Sequence, residues 1–188
     1  MIARQVLAAV RVLLVFTVLL GVVYPLVVTG ISQVAMPGPA NGSLLLMDGQ
    51  SVGSVLIGQE FTGLGYFHSR PDSHDPTASG PSNLGPTNPA LTERLRAQAE
   101  AVRGAEGLAA GVPLPADAVT SSASGLDPDI SVDYARLQAP RVAQARGVRL
   151  SEVLAIINRE AVGRDLGFLG ERRVNVLRIN VALDGLDS

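Results

Sequence analysis

The chain has 188 residues, with 17 acidic side chains, 15 basic ones, two histidines and no cysteine. Every basic residue is an arginine, which excludes a P-loop lysine, a Schiff-base lysine and the lysine of a Ser-x-x-Lys hydrolase. The lack of cysteine excludes thiol nucleophiles, disulfides and thiolate metal sites, and a net charge of −2 gives no electrostatic footprint for nucleic acid.

The first predicted element is a helix that crosses a membrane. No residue between Arg11 and Asp48 is charged, and the first half of this stretch is almost wholly apolar. About 20 such residues, rising ~1.5 Å each, cross the ~30 Å hydrocarbon layer of a bilayer. The run is longer than the apolar core of a cleaved signal peptide, and Gln33-Val34-Ala35 is a poor cleavage site. We therefore predict an uncleaved transmembrane helix over residues 12–33.

Four residues within this span indicate how it could contact a neighbouring helix. Pro25 removes a backbone donor, so Tyr24 and Pro25 together predict a kink. Small residues allow close approach of two helices in a membrane, which makes Thr17 and Gly21 the expected contact face. We assign Thr17, Gly21, Tyr24 and Pro25 to a candidate partner interface.

Arginine placement predicts the orientation of the span. Arg4 and Arg11 lie just before it, whereas the next basic residue comes far beyond it. The positive-inside rule then places residues 1–11 in the cytoplasm. Residues 34–42 are a predicted linker, and residues 43–188 a single extracytoplasmic domain, periplasmic where the cell has two membranes.

The domain begins with a predicted β-hairpin. Ser43 to Met47 and Val52 to Ile57 read as strands, and Asp48-Gly49 between them is a strong turn signal. Gly49, Ser51 and Gly53 also match the Gly-x-Ser-x-Gly pattern of a nucleophile elbow. That elbow needs a strand before the serine and a helix after it, and here the order is turn then strand.

Residues 59–91 are rich in proline, glycine and serine, a composition typical of a disordered linker. Against that, three of the seven aromatic residues, Phe61, Tyr66 and Phe67, fall here and could pin an ordered loop to the domain. We favour an ordered binding or packing loop. Within it, Arg70 and Asn83 are candidates either to fix the loop or to face a partner.

Four residues of this loop, His68, Asp72, His74 and Asp75, are chemically able to bind zinc. Their spacing matches no helical i, i+4 pair, and no second cluster supplies further ligands. A solvated polar loop is therefore the favoured interpretation, and Asp72 and His74 are also the only residues that could complete a triad with Ser51.

The rest of the chain predicts three helices and a strand. Asn88 is a suitable N-cap and Ser131 another. The elements are a helix from Pro89 to Gly104, a helix from Val132 that bends or restarts at Pro140 and stops at Gly147, a helix from Ser151 to Ala161, and a half-buried strand from Arg173 to Leu183. The predicted fold class is α+β, with one N-terminal transmembrane helix followed by one small domain.

Several motifs, in order along the chain, resemble one protein family. They are Tyr24-Pro25-Leu26, Thr29-Gly30, Gly53-Ser54, Leu56-Ile57-Gly58-Gln59, Tyr66-Phe67-His68-Ser69-Arg70-Pro71, Ser82-Asn83-Leu84-Gly85-Pro86-Thr87-Asn88-Pro89, Ser124-Gly125-Leu126-Asp127-Pro128, Arg141-Val142-Ala143, Ala145-Arg146-Gly147, Gly163-Arg164, Leu166-Gly167-Phe168-Leu169-Gly170-Glu171 and Arg173-Val174-Asn175-Val176-Leu177. Together they resemble the C subunit of the bacterial high-affinity potassium-transporting P-type ATPase, the Kdp complex.

The resemblance implies a non-catalytic accessory subunit in the inner membrane. Its protein partners in the family are a potassium-translocating A subunit, an ATP-hydrolysing B subunit and a small F subunit. The lipid bilayer surrounds its transmembrane helix. The family's C subunit assists assembly and acts as a catalytic chaperone that raises the affinity of the pump for ATP. ATP and potassium are then handled by the complex, and no cofactor is assigned to this chain alone. The net charge of −2 already argues against nucleic acid as a partner.

Topology restricts how such a role could work. Only residues 1–11 are predicted on the ATP side, so any effect on ATP affinity is expected to be indirect, with the exported domain over the extracellular mouth of the A subunit. Two alternatives remain from the residues alone. One is an anchored exported hydrolase that uses Ser51 or His74, and the other is a generic anchored binding module.

Overall fold

A computed structural model describes residues 1–47 and 49–186 of the chain. The chain divides into two compact units, Met1–Leu44 and a second unit that begins at Leu45. The α+β prediction is confirmed, since one apolar helix precedes a small domain of mixed helices and strands.

The first unit is dominated by one long helical stretch, Ile2–Ala35, which is the candidate membrane span among the described residues. It consists of α1 (Ile2–Val18), a π-helical turn (Leu19–Val23) and α2 (Tyr24–Ala35), and a short helix α3 (Pro37–Ala40) follows. No side chain of α1, the π-turn or α2 is buried. An apolar helix without a buried face fits a lipid environment.

Pro25 explains the π-turn. A proline has no N–H to donate and its ring collides with the carbonyl four residues back, which here is Gly21. The turn before it is widened, because the Tyr24 N–H donates to the Leu19 carbonyl five residues back. Pro25 then occupies the first turn of α2, where an N–H is not needed.

The predicted hairpin is present, and in it β1 (Leu44–Met47) pairs with β2 (Gln50–Ser54). The predicted second strand, Val52 to Ile57, is wrong at its end, because residues 55–57 form a turn. Asp48, the first residue of the predicted turn, lies outside the described residues. Gly49 has φ of +78°, a left-handed conformation that glycine adopts without penalty.

The remaining elements form a helical layer around one short antiparallel sheet. They are α4 (Pro89–Ala105), α5 (Ala116–Val119), β3 (Asp129–Ser131), α6 (Val132–Arg146), α7 (Leu150–Glu160), β4 (Arg173–Asn175) and α8 (Val176–Asp184). In the sheet, Ile130 is opposite Val174. Helix α7 packs against both α6 and α8, so the apolar core lies among these three helices and the β3–β4 pair.

The predicted caps agree with the structure. The Asn88 side chain accepts a hydrogen bond from the Ala90 N–H at 3.0 Å, and Ser131 Oγ accepts one from the Tyr134 N–H at 3.0 Å. Gly147 ends α6 with φ of +67°. Pro140 does not restart this helix, which runs unbroken from Val132 to Arg146.

The predicted strand from Arg173 to Leu183 is wrong beyond Asn175. Asn175 Oδ1 caps a helix by accepting from the Arg178 N–H at 3.1 Å, and α8 follows. The sequence alternation was misleading because the buried residues are Val176, Leu177, Ile179, Asn180 and Leu183. Spacings of one, three, four and seven residues define the buried face of a helix.

Candidate functional site

The loop after β2 is held by side chains of the helices α6 and α8. Phe67 is fully buried in the core. Its N–H donates to Asn180 Oδ1 at 2.8 Å, and its carbonyl accepts from Asn180 Nδ2 at 3.0 Å. One side-chain amide on α8 therefore satisfies both backbone polar groups of a buried residue, as a neighbouring strand would.

Gln138 on α6 holds the next residue in the same way. The His68 N–H donates to Gln138 Oε1 at 2.7 Å, and Gln138 Nε2 donates to the His68 carbonyl at 3.1 Å. Gln138 is itself fully buried. Residues 67 and 68 thus run between two helices with their backbone paired to side chains, which explains how a loop segment can be buried at all.

Two arginines of α6 hold the residues just before Phe67. Arg141 Nη1 donates to the carbonyls of Leu64 at 2.6 Å and Tyr66 at 2.9 Å, and Arg141 Nε pairs with Glu106 Oε1 at 3.0 Å. Both side chains of this pair are less than 10 % exposed. Arg141 is therefore a buried cation whose donors meet a carboxylate and two carbonyls, the condition under which a buried charge is tolerated.

Arg146, one and a half turns further along α6, contacts the same segment. Its Nε donates to the Gly65 carbonyl at 2.6 Å, and its Nη2 pairs with Asp184 at 2.7 Å. The guanidinium also lies 4.8 Å from the centre of the Tyr66 ring, within the range of a cation–π contact. Arginine suits this position because its planar group serves several acceptors at once.

We call the four side chains that hold residues 64–68 the loop clamp: Asn180, Gln138, Arg141 and Arg146. Burial shifts the pKa of three groups around this clamp. It raises the pKa of the Glu106 carboxyl, although Arg141 acts in the opposite direction. It raises the pKa of Tyr134 to about 12. Burial, together with the neighbouring Arg141 cation, lowers the pKa of His68. The clamp thus favours a neutral imidazole at residue 68.

Arg70 and Asp72, further along the loop, hold it to residues 120–127. Arg70 Nη1 pairs with Asp127 at 2.8 Å, and its Nε and Nη2 both donate to the Thr120 carbonyl. Asp72 accepts from the Ser122 N–H and Oγ, both at 2.6 Å, and from the Asp127 N–H at 3.3 Å. Arg70 was predicted either to fix the loop or to face a partner. These contacts support the first role, and the second stays a prediction.

The other predicted site residues lie elsewhere. Asn83 is exposed and has φ of +54°, a left-handed conformation that asparagine tolerates better than most residues. Thr17, Gly21, Tyr24 and Pro25 are all exposed along the helical stretch of the first unit. A side chain added at Gly21 would meet nothing within 4 Å. Gly21 is therefore free of intrachain packing, and its role in a partner interface stays a prediction.

His68, His74 and Asp72 line one cavity of about 360 Å³, with Glu60 and Arg70. Asp72 uses both its oxygens on the contacts with Ser122 and Asp127. Asp75 is exposed and accepts from the N–H and Oγ of Thr77 at 2.8 and 2.7 Å. Across residues 1–47 and 49–186, no three His, Asp or Glu side chains are grouped as metal ligands.

Ser51 lies inside β2, and a turn follows the strand at residues 55–57. A nucleophile elbow places its serine between a strand and a helix. That arrangement does not occur around Ser51, so the motif match carries no hydrolase geometry.

Comparison with known proteins identifies the chain. Residues 6–185 match the family model described as KdpC, K+-transporting ATPase, c chain. The chain belongs to the KdpC family. Its near-complete coverage by that model means that both units, and not the apolar helix alone, carry the family pattern.

Relatives from three organisms support this assignment. The Potassium-transporting ATPase KdpC subunit of Mycobacterium tuberculosis (strain ATCC 25618 / H37Rv) is 54% identical over 187 residues, covering 97% of this chain and 99% of the relative. Proteins of the same name in Methylibium petroleiphilum and Caulobacter vibrioides are 53% and 54% identical over 174 residues. Those matches cover 90% of this chain and 91% and 87% of the relatives.

The residues that hold the loop, Asn180, Gln138 and Arg141, were not singled out by sequence reasoning. Their positions on buried helix faces offered a signal for Gln138 and Arg141, since both share a helix with the apolar residues Ala135, Ala139 and Val142. Asn180 gave none, because its segment was interpreted as a strand. A polar side chain on an apolar helix face requires a buried partner, and here that partner is a loop backbone.

Proposed function

We propose that this KdpC-family chain is a non-catalytic accessory subunit of an ATP-driven potassium transport complex. The observation that carries the proposal is the family match over residues 6–185. The contacts of the loop support a structural role for several of its polar groups. Arg70 and Asp72, for example, contact residues 120–127. Gln138 and Asn180 contact its backbone.

The chain crosses the inner membrane once, with residues 1–11 in the cytoplasm, residues 12–33 in the bilayer, residues 34–42 as a linker and residues 43–188 periplasmic or extracellular. Two features support this topology. The helix from Ile2 to Ala35 buries none of its apolar residues, and Arg4 and Arg11 lie in its N-terminal part.

We propose three protein partners: the potassium-translocating A subunit, the ATP-hydrolysing B subunit and the small F subunit. A single helix cannot enclose an ion path, so potassium passes through another chain. The domain covers the extracellular mouth of the A subunit, and the span contacts a partner helix through Thr17, Gly21, Tyr24 and Pro25. Close packing at Gly21 is supported by the open space around it.

The chain assists assembly and, as a catalytic chaperone, raises the affinity of the B subunit for ATP. This effect is indirect. With 11 residues on the cytoplasmic side and no lysine in the chain, direct phosphate binding has little support. The indirect route is a change in the conformation of the complex that couples binding of this chain to binding of ATP by the B subunit. Such coupling typically has a free energy of about 1–3 kcal/mol.

Purification from native membranes in mild detergent tests the proposal. An affinity tag on this chain should recover the three partner subunits, and recovery of the chain alone would overturn the proposal. Gly21→Leu should lower that recovery by filling the close-contact face. Gly30→Leu is the matched control, because Gly30 also has open space around it and lies nine residues away on a different helix face.

The orientation of the chain in the membrane is tested separately. A reporter fused at the C-terminus should be active only on the outer side of the membrane. ATP titration of the B-subunit ATPase with and without this chain then measures the chaperone role. A cytoplasmic reporter, or specific cross-linking of ATP to this chain, would overturn the indirect mechanism.

A further inference from the structure

Strand β1 is apolar on both of its faces. Its four residues, Leu44 to Met47, alternate between exposed and half-buried. Leu44 is 54% exposed and Leu46 63%, and residues two apart in a strand lie on the same side. We call this side, formed by Leu44 and Leu46, the open face of β1. The solvent side of an antiparallel pair normally carries polar residues, so the open face suits an apolar environment better than water.

The uncharged stretch that contains the membrane span extends well past the end of the span. Residues 12–47 include no charged side chain, whereas about 20 residues suffice to cross the hydrocarbon layer of a bilayer. The excess, residues 34–47, covers the predicted linker and all of β1. A charged side chain that approaches hydrocarbon loses its hydration at a high cost. This part of the chain can approach lipid without that cost.

The chain turns back on itself directly after the span. Gln33, the last residue of the predicted span, exchanges two side-chain hydrogen bonds with Asn41. Gln33 Nε2 donates to Asn41 Oδ1 at 3.2 Å, and Asn41 Nδ2 donates to Gln33 Oε1 at 3.0 Å. The pair holds Asn41 close to the end of the span, at the edge of the hydrocarbon layer. Because each amide is the partner of the other, these bonds do not depend on water.

The backbone of this turn is also satisfied within the chain. The N–H groups of residues 40–43 donate to carbonyls of residues 36–39 at 3.0–3.2 Å. Pro37 and Pro39 have no N–H to satisfy. A segment next to hydrocarbon has to pair its backbone polar groups internally, and this turn does so. The end of the span and the start of β1 are therefore joined by a compact turn that is suited to the membrane boundary.

Chain length limits how far β1 can lie from the membrane. Leu44 follows Asn41 by three residues and Leu46 by five, which is at most about 11 Å and about 18 Å of extended chain. Leu44 also belongs to the same compact unit as the span. The headgroup layer on each side of the hydrocarbon is about 5–8 Å thick, and interfacial segments enter this region by about 5–10 Å. The open face of β1 is therefore within reach of lipid.

Composition distinguishes the lipid boundary from two other surfaces. A protein interface surrounds its apolar centre with a polar rim that includes charged residues, and neither β1 nor the turn before it has a charged side chain. Attraction to anionic headgroups requires arginine or lysine, which this stretch also lacks. Burial of leucine at the boundary between headgroups and acyl chains requires neither.

We propose that the open face of β1 docks on the bilayer, with Leu44 and Leu46 at the boundary between the headgroups and the acyl chains of the leaflet at the C-terminal end of the span. This assignment rests on the membrane span proposed above, but not on its orientation or on any protein partner. The chain then has two contacts with lipid, a helix that crosses the bilayer and a strand that lies on it.

Tryptophan fluorescence in vesicles tests the contact. The chain contains no tryptophan, so Leu46→Trp introduces a single one. The full-length variant is reconstituted in phosphatidylcholine vesicles, with and without phosphatidylcholine brominated at the headgroup end of its acyl chains. Bromine quenches a tryptophan only at close contact, so we expect strong quenching at residue 46. Absence of quenching there would overturn the proposal.

Arg96→Trp is the control, because residue 96 is an exposed position of α4. Its quenching should be much weaker, and equal quenching at residues 46 and 96 would also count against the proposal. Replacing part of the phosphatidylcholine by phosphatidylglycerol should not change the quenching at residue 46, since β1 has no charge. Quenching that occurs only with the anionic lipid would show electrostatic attraction and overturn the docking of an apolar face.

A charge on the open face should break the contact. In a chain that carries Leu44→Trp, Leu46→Asp should lower the equilibrium constant for docking about tenfold, because leucine burial is lost and a carboxylate loses hydration. Quenching of the probe at residue 44 reports this change. Leu56→Asp in the same chain is the matched control, because Leu56 is also an exposed leucine, at 61%, and lies outside β1. Unchanged quenching with Leu46→Asp, or an equal fall with Leu56→Asp, contradicts the proposal.

A probe in the span separates this inference from the proposed function. Val22→Trp, near the middle of the span, should be quenched by lipid brominated near the ends of its acyl chains. If it is not quenched, the proposed topology fails and the docking of β1 fails with it. If residue 22 is quenched and residue 46 is not, only the docking of β1 fails.

Discussion

Asn180 pairs with the backbone of Phe67 through both ends of its side-chain amide, at 2.8 and 3.0 Å, although 113 residues separate them in the chain. Both residues are buried. Helix α8, close to the C-terminal end, therefore determines the position of a loop that follows the first hairpin. A buried peptide group without a partner is costly, so this pairing is what allows Phe67 to enter the core.

Asn180→Ala should release the loop. The substitution leaves the N–H and the carbonyl of Phe67 buried without a partner, and each such group costs about 1–3 kcal/mol. We expect a loss of about 2–4 kcal/mol in the free energy of unfolding, and faster hydrogen exchange at the Phe67 amide. Asn158→Ala is the control, since Asn158 is an exposed residue of α7 and should change stability by no more than about 0.5 kcal/mol. Unchanged exchange at Phe67 in Asn180→Ala would contradict the prediction.

The buried pair of Glu106 and Arg141 predicts a pH dependence of stability. Burial raises the pKa of the Glu106 carboxyl above its ordinary value of 4.5, so the folded chain binds this proton more tightly than the unfolded chain. The stability contributed by this group is fully present below the unfolded pKa and is lost as the pH rises through the folded pKa. In that window the wild type should lose stability relative to Glu106→Gln, which cannot titrate.

Thermal unfolding of the full chain in detergent, measured from about pH 4.5 upwards, checks this sign. Glu100→Gln, an exposed glutamate on α4, controls for the loss of one negative charge. A wild type that gains stability relative to Glu106→Gln as the pH rises would show that attraction by Arg141 outweighs burial.

Arg70→Lys tests whether the arginine at this position fixes the loop. Its guanidinium bonds Asp127 and the Thr120 carbonyl at the same time, and a lysine ammonium cannot reproduce both contacts. We expect a loss of about 1–3 kcal/mol, because hydrogen bonds to charged groups are the stronger class. Arg96→Lys, at an exposed position of α4, should not measurably change the free energy of unfolding. If Arg70→Lys leaves stability unchanged but lowers recovery of the complex, Arg70 acts at a partner surface instead.

Some features of this fold depend on local sequence alone, and others depend on tertiary contacts. Helix starts at Asn88 and Ser131 were predictable, since a cap depends on a side chain and an N–H two or three residues later. Helix α8 was missed because Leu177, Ile179, Val181 and Leu183 alternate as in a half-buried strand, whereas the buried helical face also needs Val176 and Asn180. The Asn175 cap is as local as the other two caps, whereas the burial of Asn180 against Phe67 depends on tertiary context.

The loop clamp could be foreseen only in outline. The aromatic residues Phe61, Tyr66 and Phe67 predicted an ordered loop, and Phe67 is indeed in the core. Which polar groups accompany it was not predictable, because Gln138 and Asn180 lie 70 and 113 residues away from the backbone groups that they satisfy. Contacts at such separation are set by how helices pack, and no local pattern encodes them.

Pro25→Ala should convert the π-turn into regular α-helix. Alanine restores the backbone donor and removes the ring, so the Tyr24 N–H should move from the Leu19 carbonyl, where it now donates, to the Leu20 carbonyl. That change rotates α2 relative to α1 and displaces Tyr24 from Thr17 and Gly21, so assembly with a partner helix should weaken. Carbonyl chemical shifts of residues 19–24 of the chain in micelles, together with recovery of the complex, measure both effects. Pro39→Ala in α3 is the matched proline substitution beyond the span. A Pro25→Ala chain that keeps the Leu19 bond would show that the π-turn has a cause other than proline.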